Sequence, residues 1–151
     1  MIAIPLTIFF VIAYILFPIP FLYLFLFFLV FFSIYIIFGS IGLIIGVLGM
    51  SYEEIVPYAN FILRIIFLFA CITYPKEIFP ELIQSIMLLN PFYYIFDLLR
   101  ITWYLGLDYE TASSLITPFH IISIIFLTII TPIISLFTFE YFYKKYGIQG
   151  Y

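Results

Sequence analysis

Polar positions are scarce along this chain, and they fall in clusters that separate long apolar runs. The first run, Ile2 to Phe17, is short for a membrane span and carries Pro5 near its start. Phe17-Pro18-Ile19-Pro20 breaks it and leaves room only for a tight loop. The second run, Phe21 to Met50, has no charged residue. A helix of that length reaches about 45 Å at ~1.5 Å per residue, more than the ~30 Å of a bilayer core. It must therefore tilt or continue into the headgroups. The polar SYEEIVPYAN follows. Ser51 and Glu54 are spaced as a capping box, and Pro57 suits the first turn of a helix. A third span is predicted from about Ile55 to Tyr74. A last span is predicted from about Phe119 to Tyr143, with Pro132 placed to kink it, and the polar loop LDYETASSLITP stands before it.

The stretch YPKEIFPELIQSIMLLNPFYYIFDLLR, residues 74–100, interrupts this simple alternation. Read as a span from Leu82 to Leu105, it would bury Gln84, Asn90, Pro91, Asp97 and Arg100. Asp or Arg at a span centre costs about 2.5–3.5 kcal/mol on insertion scales, and Pro91 removes a backbone bond. Read as two short helices, each breaker has a place. Pro80 and Glu81 open the first helix, with an apolar body from Leu82 to Leu89. Asn90 caps the second and Pro91 takes its first position. That second helix runs from Phe92 to about Leu105, and Gly106 suits its exit. Asp97 and Arg100, three residues apart, are expected to pair. The favoured reading is a re-entrant hairpin over about residues 75–105. The fold class is then all-α membrane protein, with about four transmembrane helices and an external re-entrant hairpin between the third and fourth.

Composition fixes the class. The chain has 151 residues, is 67% hydrophobic and only 9% charged. A soluble globule needs more polar cover than that. The net charge of −3 argues against a nucleic-acid partner. The single cysteine, Cys71, excludes an intrachain disulfide and a cysteine-rich metal site. Met1 is followed by no charged region of a secretory signal, so the chain reads as if it begins inside a larger membrane domain. Lys144 and Lys145 place the C-terminus in the cytoplasm. Counting back, Asp108 to Pro118 is external; with a hairpin that does not cross, SYEE is cytoplasmic and FPIP external. The whole chain, residues 1–151, reads as one transmembrane domain.

Several residues are candidates for function. Gly39, Gly42, Gly46 and Gly49 share one face of the second run, a stripe suited to close helix packing. Arg64 lies about 12 Å along the third span. An ionisable residue there points to an anionic substrate on the translocation path, unless it reaches the interface or pairs with Glu53 or Glu54. His120 reads as an interfacial hydrogen bonder. Ser40 and His120 are the one tempting pair for a protease, but they fall in opposite membrane halves. No P-loop, HExxH or other catalytic or metal motif is present.

The ordered series Tyr74-Pro75, Phe79-Pro80, Leu89-Asn90-Pro91, Asp97 and Arg100, followed by a last span and the tail FEYFYKKYGIQGY, resembles the C-terminal half of ABC transporter permeases of the type-2 exporter class. The resemblance covers about residues 20–151. It implies spans three to six of a six-span permease in the plasma membrane, with Pro75, Pro80, Asn90, Pro91, Asp97 and Arg100 building an external hairpin. It also implies a dimer with a second permease copy or homologue, and a separate ABC-type ATPase that supplies ATP and Mg; the chain itself needs no cofactor. The family's N-terminal interface helix, first two spans and ATPase-docking loop have no counterpart here, which reads as a fragment, as a split or truncated gene whose separate N-terminal half would be a further partner, or as a relic. Thr73-Tyr74 stands where the family often has a glycine before the proline of the fifth span. The alternative is a small accessory or assembly membrane protein whose glycine face is its whole function.

Overall fold

The computed structural model describes residues 11–146, apart from 13, 17, 18, 53, 73 and 75. Its regular structure is helical: α1 (Phe21–Ser51), α2 (Ile55–Phe69), a 3-10 turn (Lys76–Ile78), α3 (Glu81–Met87), α4 (Pro91–Tyr104), α5 (Tyr109–Leu115) and α6 (Pro118–Tyr146). Among the described residues, two helices are long and apolar enough to cross a membrane, over Phe21–Met50 and Pro118–Lys145. The expected count of four is not reached there. The expected run Ile2 to Phe17 lies largely outside the described residues, with helical backbone at 11, 12 and 14–16. The expected third span is shorter than its apolar run, because α2 has only 15 residues, about 22 Å of rise.

α2 stops where Cys71 adopts a left-handed φ of 53°, a conformation that ends a helix and is uncommon for a side chain other than Gly or Asn. The backbone of Ser51 closes α1 rather than capping a new turn. Glu54 precedes α2 without a side-chain cap. Pro57 lies in the first turn of α2, where its missing N–H costs nothing. Asp108 caps α5 and accepts from the Thr111 N–H at 3.3 Å. Hydrogen bonds from Thr111 hold its carboxyl below the usual carboxylate range. This cap is therefore complete above the ordinary carboxylate range and is lost as pH falls through the depressed value.

The core lies where α4 rests on the two long helices. Val30, Ile34 and Ile37 of α1 meet Ile95 and Leu98 of α4 and Ile124 and Leu127 of α6. The buried positions of α6, His120, Ser123, Ile124, Leu127, Thr131 and Ser135, recur at three and four residues, the period of one helix face. Small polar side chains on that face allow close approach, as at other helix contacts in lipid. Phe38 marks the middle of the packing, with its ring 5.2 Å from Phe67, 5.7 Å from Phe92 and 5.8 Å from Phe96.

Ring contacts fix which loops share an end. Tyr23, at the start of α1, lies 6.4 Å from Tyr109, and Tyr52, just after α1, lies 6.5 Å from Phe142 near the end of α6. Gly106 sits against Ile19, so closely that a Cβ there would collide with the Ile19 side chain. Residues 19 and 106–109 therefore share one end, and residues 52 and 142 the other. Between Tyr52 and Asp108 the chain makes one net passage along the bundle. α2 covers part of it and α4 the remainder. α3 and α4 are bent by 93° at their junction, so α3 lies across α4 rather than antiparallel to it.

Candidate functional site

The bent pair is held at three points, each built from polar groups that sequence spacing alone does not connect. At the junction, Asn90 is the N-cap of α4 and accepts from the Phe92 N–H at 3.1 Å, with Pro91 at the first position. Its Nδ2 donates to the Ile66 carbonyl at 3.0 Å. The cap thereby also fastens α4 to α2. Pro80 is the N-cap residue of α3. Gln84 donates back to the Phe79 carbonyl at 2.7 Å, which closes the turn that Pro80 begins.

The second point is Arg100. Its guanidinium donates to the carbonyl of Cys71, and to that of Ile72 at 3.2 Å. These carbonyls follow the C-terminus of α2, where backbone acceptors lack helical partners and a cation is favoured. The left-handed turn at Cys71 lies at this contact. The Cys71 thiol is buried and donates to the Met87 sulfur at 3.3 Å, so α3 is drawn to the same place.

The third point is Asp97, and here the expected pairing with Arg100 is corrected. Arg100 is occupied by carbonyls 28 and 29 residues back. Asp97 Oδ2 instead lies 3.1 Å from His120 Nε2, at the head of α6. Tyr93 Oη donates to the same oxygen at 3.4 Å. His120 Nδ1 accepts from the Thr117 backbone N–H at 3.0 Å and lies 2.8 Å from Thr117 Oγ1. A backbone N–H can only donate, so Nδ1 carries the lone pair and the ring proton sits on Nε2, facing Asp97. His120 is 3% exposed; it is a buried polar group with both nitrogens satisfied. His120 also faces a cavity of about 410 Å³ that Lys76, Tyr93, Tyr94, Asp97 and Thr117 help to line. Lys76 Nζ lies 5.6 Å from the centroid of the Tyr93 ring.

The other sequence candidates lie elsewhere. Arg64 is exposed on α2 and makes no side-chain hydrogen bond or ion pair among the described residues. Gly39, Gly42 and Gly46 look onto open space, and only Gly49 meets a neighbour, Val56, whose Cγ2 would be 2.6 Å from an added Cβ. The stripe does not pack within the chain beyond its last member. Pro75 lies outside the described residues. Ser40 Oγ donates to its own helix at the Ile36 carbonyl, 2.7 Å away, and His120 is taken by Asp97, so no nucleophile–base pair forms between them. Among the described residues no group of three or more acidic, His or Cys side chains is placed to hold a metal ion. Sequence reasoning missed the Asp97–His120 link, the Arg100–carbonyl link and the left-handed Cys71. Only the polar character of Asp97, Arg100 and His120 in an apolar setting signalled them.

The family model described as ABC-2 type transporter matches residues 1–104, which takes in α1, α2 and the bent pair and stops before the last long helix. Searches of curated proteins and of solved structures returned no match. Proteins of the matching family are non-catalytic membrane components of transport.

Proposed function

We propose that this chain, which belongs to the ABC-2 type transporter family, is a permease subunit of an ATP-driven exporter and supplies the C-terminal half of its six-span membrane domain. Proteins of this family typically pair with ATPase and permease subunits. In this reading an ABC-type ATPase hydrolyses ATP with Mg in the cytoplasm. A second permease copy completes the translocation path in the plasma membrane. The observation that carries the reading is the bent helical pair, fixed by Asn90 and Arg100 to α2 and by Asp97 to α6, inside the matched region and between two helices of membrane length.

The unpaired surfaces fit a path shared between chains. An Arg turned toward lipid costs about 2.5–3.5 kcal/mol near a span centre. The exposed face of α2 is therefore better covered by protein or water than by acyl chains, and Arg64 becomes the residue offered to an anionic substrate. The bare glycine stripe of α1 suits the close approach of a helix from another permease chain. Gly42→Leu adds a side chain into space that is open in this chain. It is expected to leave the isolated chain within ~0.5 kcal/mol of its stability and to reduce recovery of the assembled permease about tenfold, the weight of ~1.4 kcal/mol. Blue-native electrophoresis beside thermal melting reads both. Unchanged assembly would assign the stripe to lipid.

The topology is tested by impermeant thiol labelling of whole cells, with Ser51→Cys and Asp108→Cys placed separately in a Cys71→Ser background. The proposal expects label at position 108 and none at 51 until the membrane is opened. External labelling of both positions would remove the hairpin from the outer face, and the permease assignment with it.

A further inference from the structure

Two surface features follow one another at the head of α6. The first is the cavity of about 410 Å³ between the 3-10 turn, α4 and α6, a volume within the range of ligand sites. Its charged walls are Lys76, Glu77 and Asp97. Among the described residues neither Lys76 nor Glu77 joins an ion pair. Asp97 takes its bonds with His120 and Tyr93 on Oδ2, and its Oδ1 takes none among the described residues. The second feature is a groove of about 330 Å³ along α6, lined by Ile122, Ile125, Phe126, Ile129 and Ile130. It runs between the side-chain rows 122–126–130 and 125–129, ridges of the four-residue spacing. Phe119 borders the cavity and precedes Ile122 and Phe126 by three and seven residues, so it stands on the groove's side of the helix. It is 62% exposed, so the chain itself does not cover the passage from one to the other. From Phe119 to Ile130 the helix rises about 16 Å, close to the ~15 Å of half a bilayer core.

We propose that cavity and groove together hold one phospholipid with a primary-ammonium headgroup, the headgroup in the cavity and an acyl chain in the groove. A polar chamber followed by an apolar furrow one leaflet long has the shape and the order of polarity of a single lipid molecule. The bound lipid ties the 3-10 turn, through Lys76 and Glu77, to α4 through Asp97 and to the exposed side of α6.

The chemistry of the walls selects the headgroup. Lys76 offers its ammonium to the phosphate in a charge-assisted bond. Glu77 and Asp97 Oδ1 accept from the lipid ammonium, a group with three N–H donors. One cation beside two acids suits a headgroup that carries both charges and disfavours one that carries phosphate alone. A quaternary ammonium needs open aromatic faces rather than acceptors. Here Lys76 already lies 5.6 Å from the centroid of the Tyr93 ring, and Tyr94 stacks on Phe119 at 5.8 Å between centroids. The aromatic walls are therefore spoken for, and the acceptors are not.

The proposal takes from the permease reading only the leaflet, the outer one, and does not depend on transport. The test is native mass spectrometry of the full-length chain released from nanodiscs. These hold equal amounts of phosphatidylethanolamine, phosphatidylcholine and phosphatidylglycerol with the same acyl chains. The ethanolamine lipid should stay bound and exceed each of the others about tenfold, the weight of one charge-assisted hydrogen bond. Lys76→Gln removes the partner of the phosphate, which all three lipids share, and should cut total bound lipid about tenfold. Glu77→Gln removes one of two acceptors for the ammonium and should shrink the preference for ethanolamine to about threefold. Phe126→Ala takes away a wall of the groove and should lower bound lipid about threefold with the headgroup preference kept. Lys144→Gln, at the far end of α6, should change neither. Equal retention of the three lipids, a stronger hold on phosphatidylglycerol, or Lys76→Gln and Glu77→Gln chains that bind as the parent does would each overturn the site. So would an equal loss in Lys144→Gln, and full binding in Phe126→Ala would remove the groove from it. Purification of the chain without an ATPase would remove the permease reading and leave the lipid result standing, so the two fail separately.

Discussion

Arg100→Ala is expected to destabilise the folded chain by about 3 kcal/mol, the largest loss of any single polar substitution in the bent pair. The guanidinium reaches the carbonyls of Cys71 and Ile72, beyond the end of α2. A hydrogen bond from a charged donor is worth about 1.5–3 kcal/mol, and a buried acceptor left bare costs about 1–3 kcal/mol more. These terms overlap, because one side chain serves both carbonyls and water reaches part of the site. At ~2–4 °C per kcal/mol for a chain of this size, the thermal midpoint should fall by about 6–12 °C. Arg100→Lys should recover only part of it, since both bonds come from one terminal nitrogen of the longer, planar guanidinium, which a flexible, more strongly hydrated ammonium does not place there. A fall of less than about 1 °C in Arg100→Ala would show that α2 and α4 are not tied in this way.

Ile95→Ala is the second, and the medium decides its size. Ile95 is 1% exposed and lies among Val30, Ile34, Ile37, Leu98, Ile124 and Leu127. In a soluble core such a truncation costs about 2–5 kcal/mol, part of it for lost transfer from water and part for the cavity. In a bilayer the transfer part shrinks, because acyl chains are as apolar as the core. The packing part remains. About 2 kcal/mol is expected, less than for Arg100, whose lost hydrogen bonds weigh more where water is scarce. Ile95→Val should cost about 1 kcal/mol. If Ile95→Ala exceeded Arg100→Ala, the bent pair would be held by packing rather than by its polar tethers.

The difference between those two residues also shows what the sequence could and could not convey. The position of the bent pair was legible, because Pro80, Asn90 and Pro91 act on backbone within a few residues of themselves. Asn90 is the cap and Pro91 the first helical residue, as their order predicts. What spacing could not convey was where the charged ends go. Asp97 and Arg100 are three apart and could meet, but each finds a partner more than 20 residues away, across a fold that no local pattern describes. The early end of α2 was hidden for a similar reason. From Ile65 to Ile72 the run is apolar without a break, and Cys71 carries no sequence signal for a left-handed turn. The glycine stripe was legible as a face, but its intrachain role was not, since Gly39, Gly42 and Gly46 meet nothing here.

These features share one physical theme. The chain places its long-range polar tethers, Asn90, Arg100 and Asp97–His120, in the bent pair and at the head of α6, where they fix irregular backbone between two long apolar helices. Irregular backbone within a membrane persists only where protein or a wet cavity covers it. Arg100 and Asn90 supply the first cover, and the cavity beside Asp97 and His120 supplies the second. The permease proposal assigns substrate contact to surfaces left open in the single chain, with Arg64 the first among them.

The measurement that bears most directly on the permease assignment is purification of the native complex in mild detergent, with every co-purifying chain identified by mass spectrometry. The account predicts an ABC-type ATPase in stoichiometric amount, together with a second permease copy or homologue. Recovery of this chain without any ATPase would contradict it and leave an accessory membrane protein in its place.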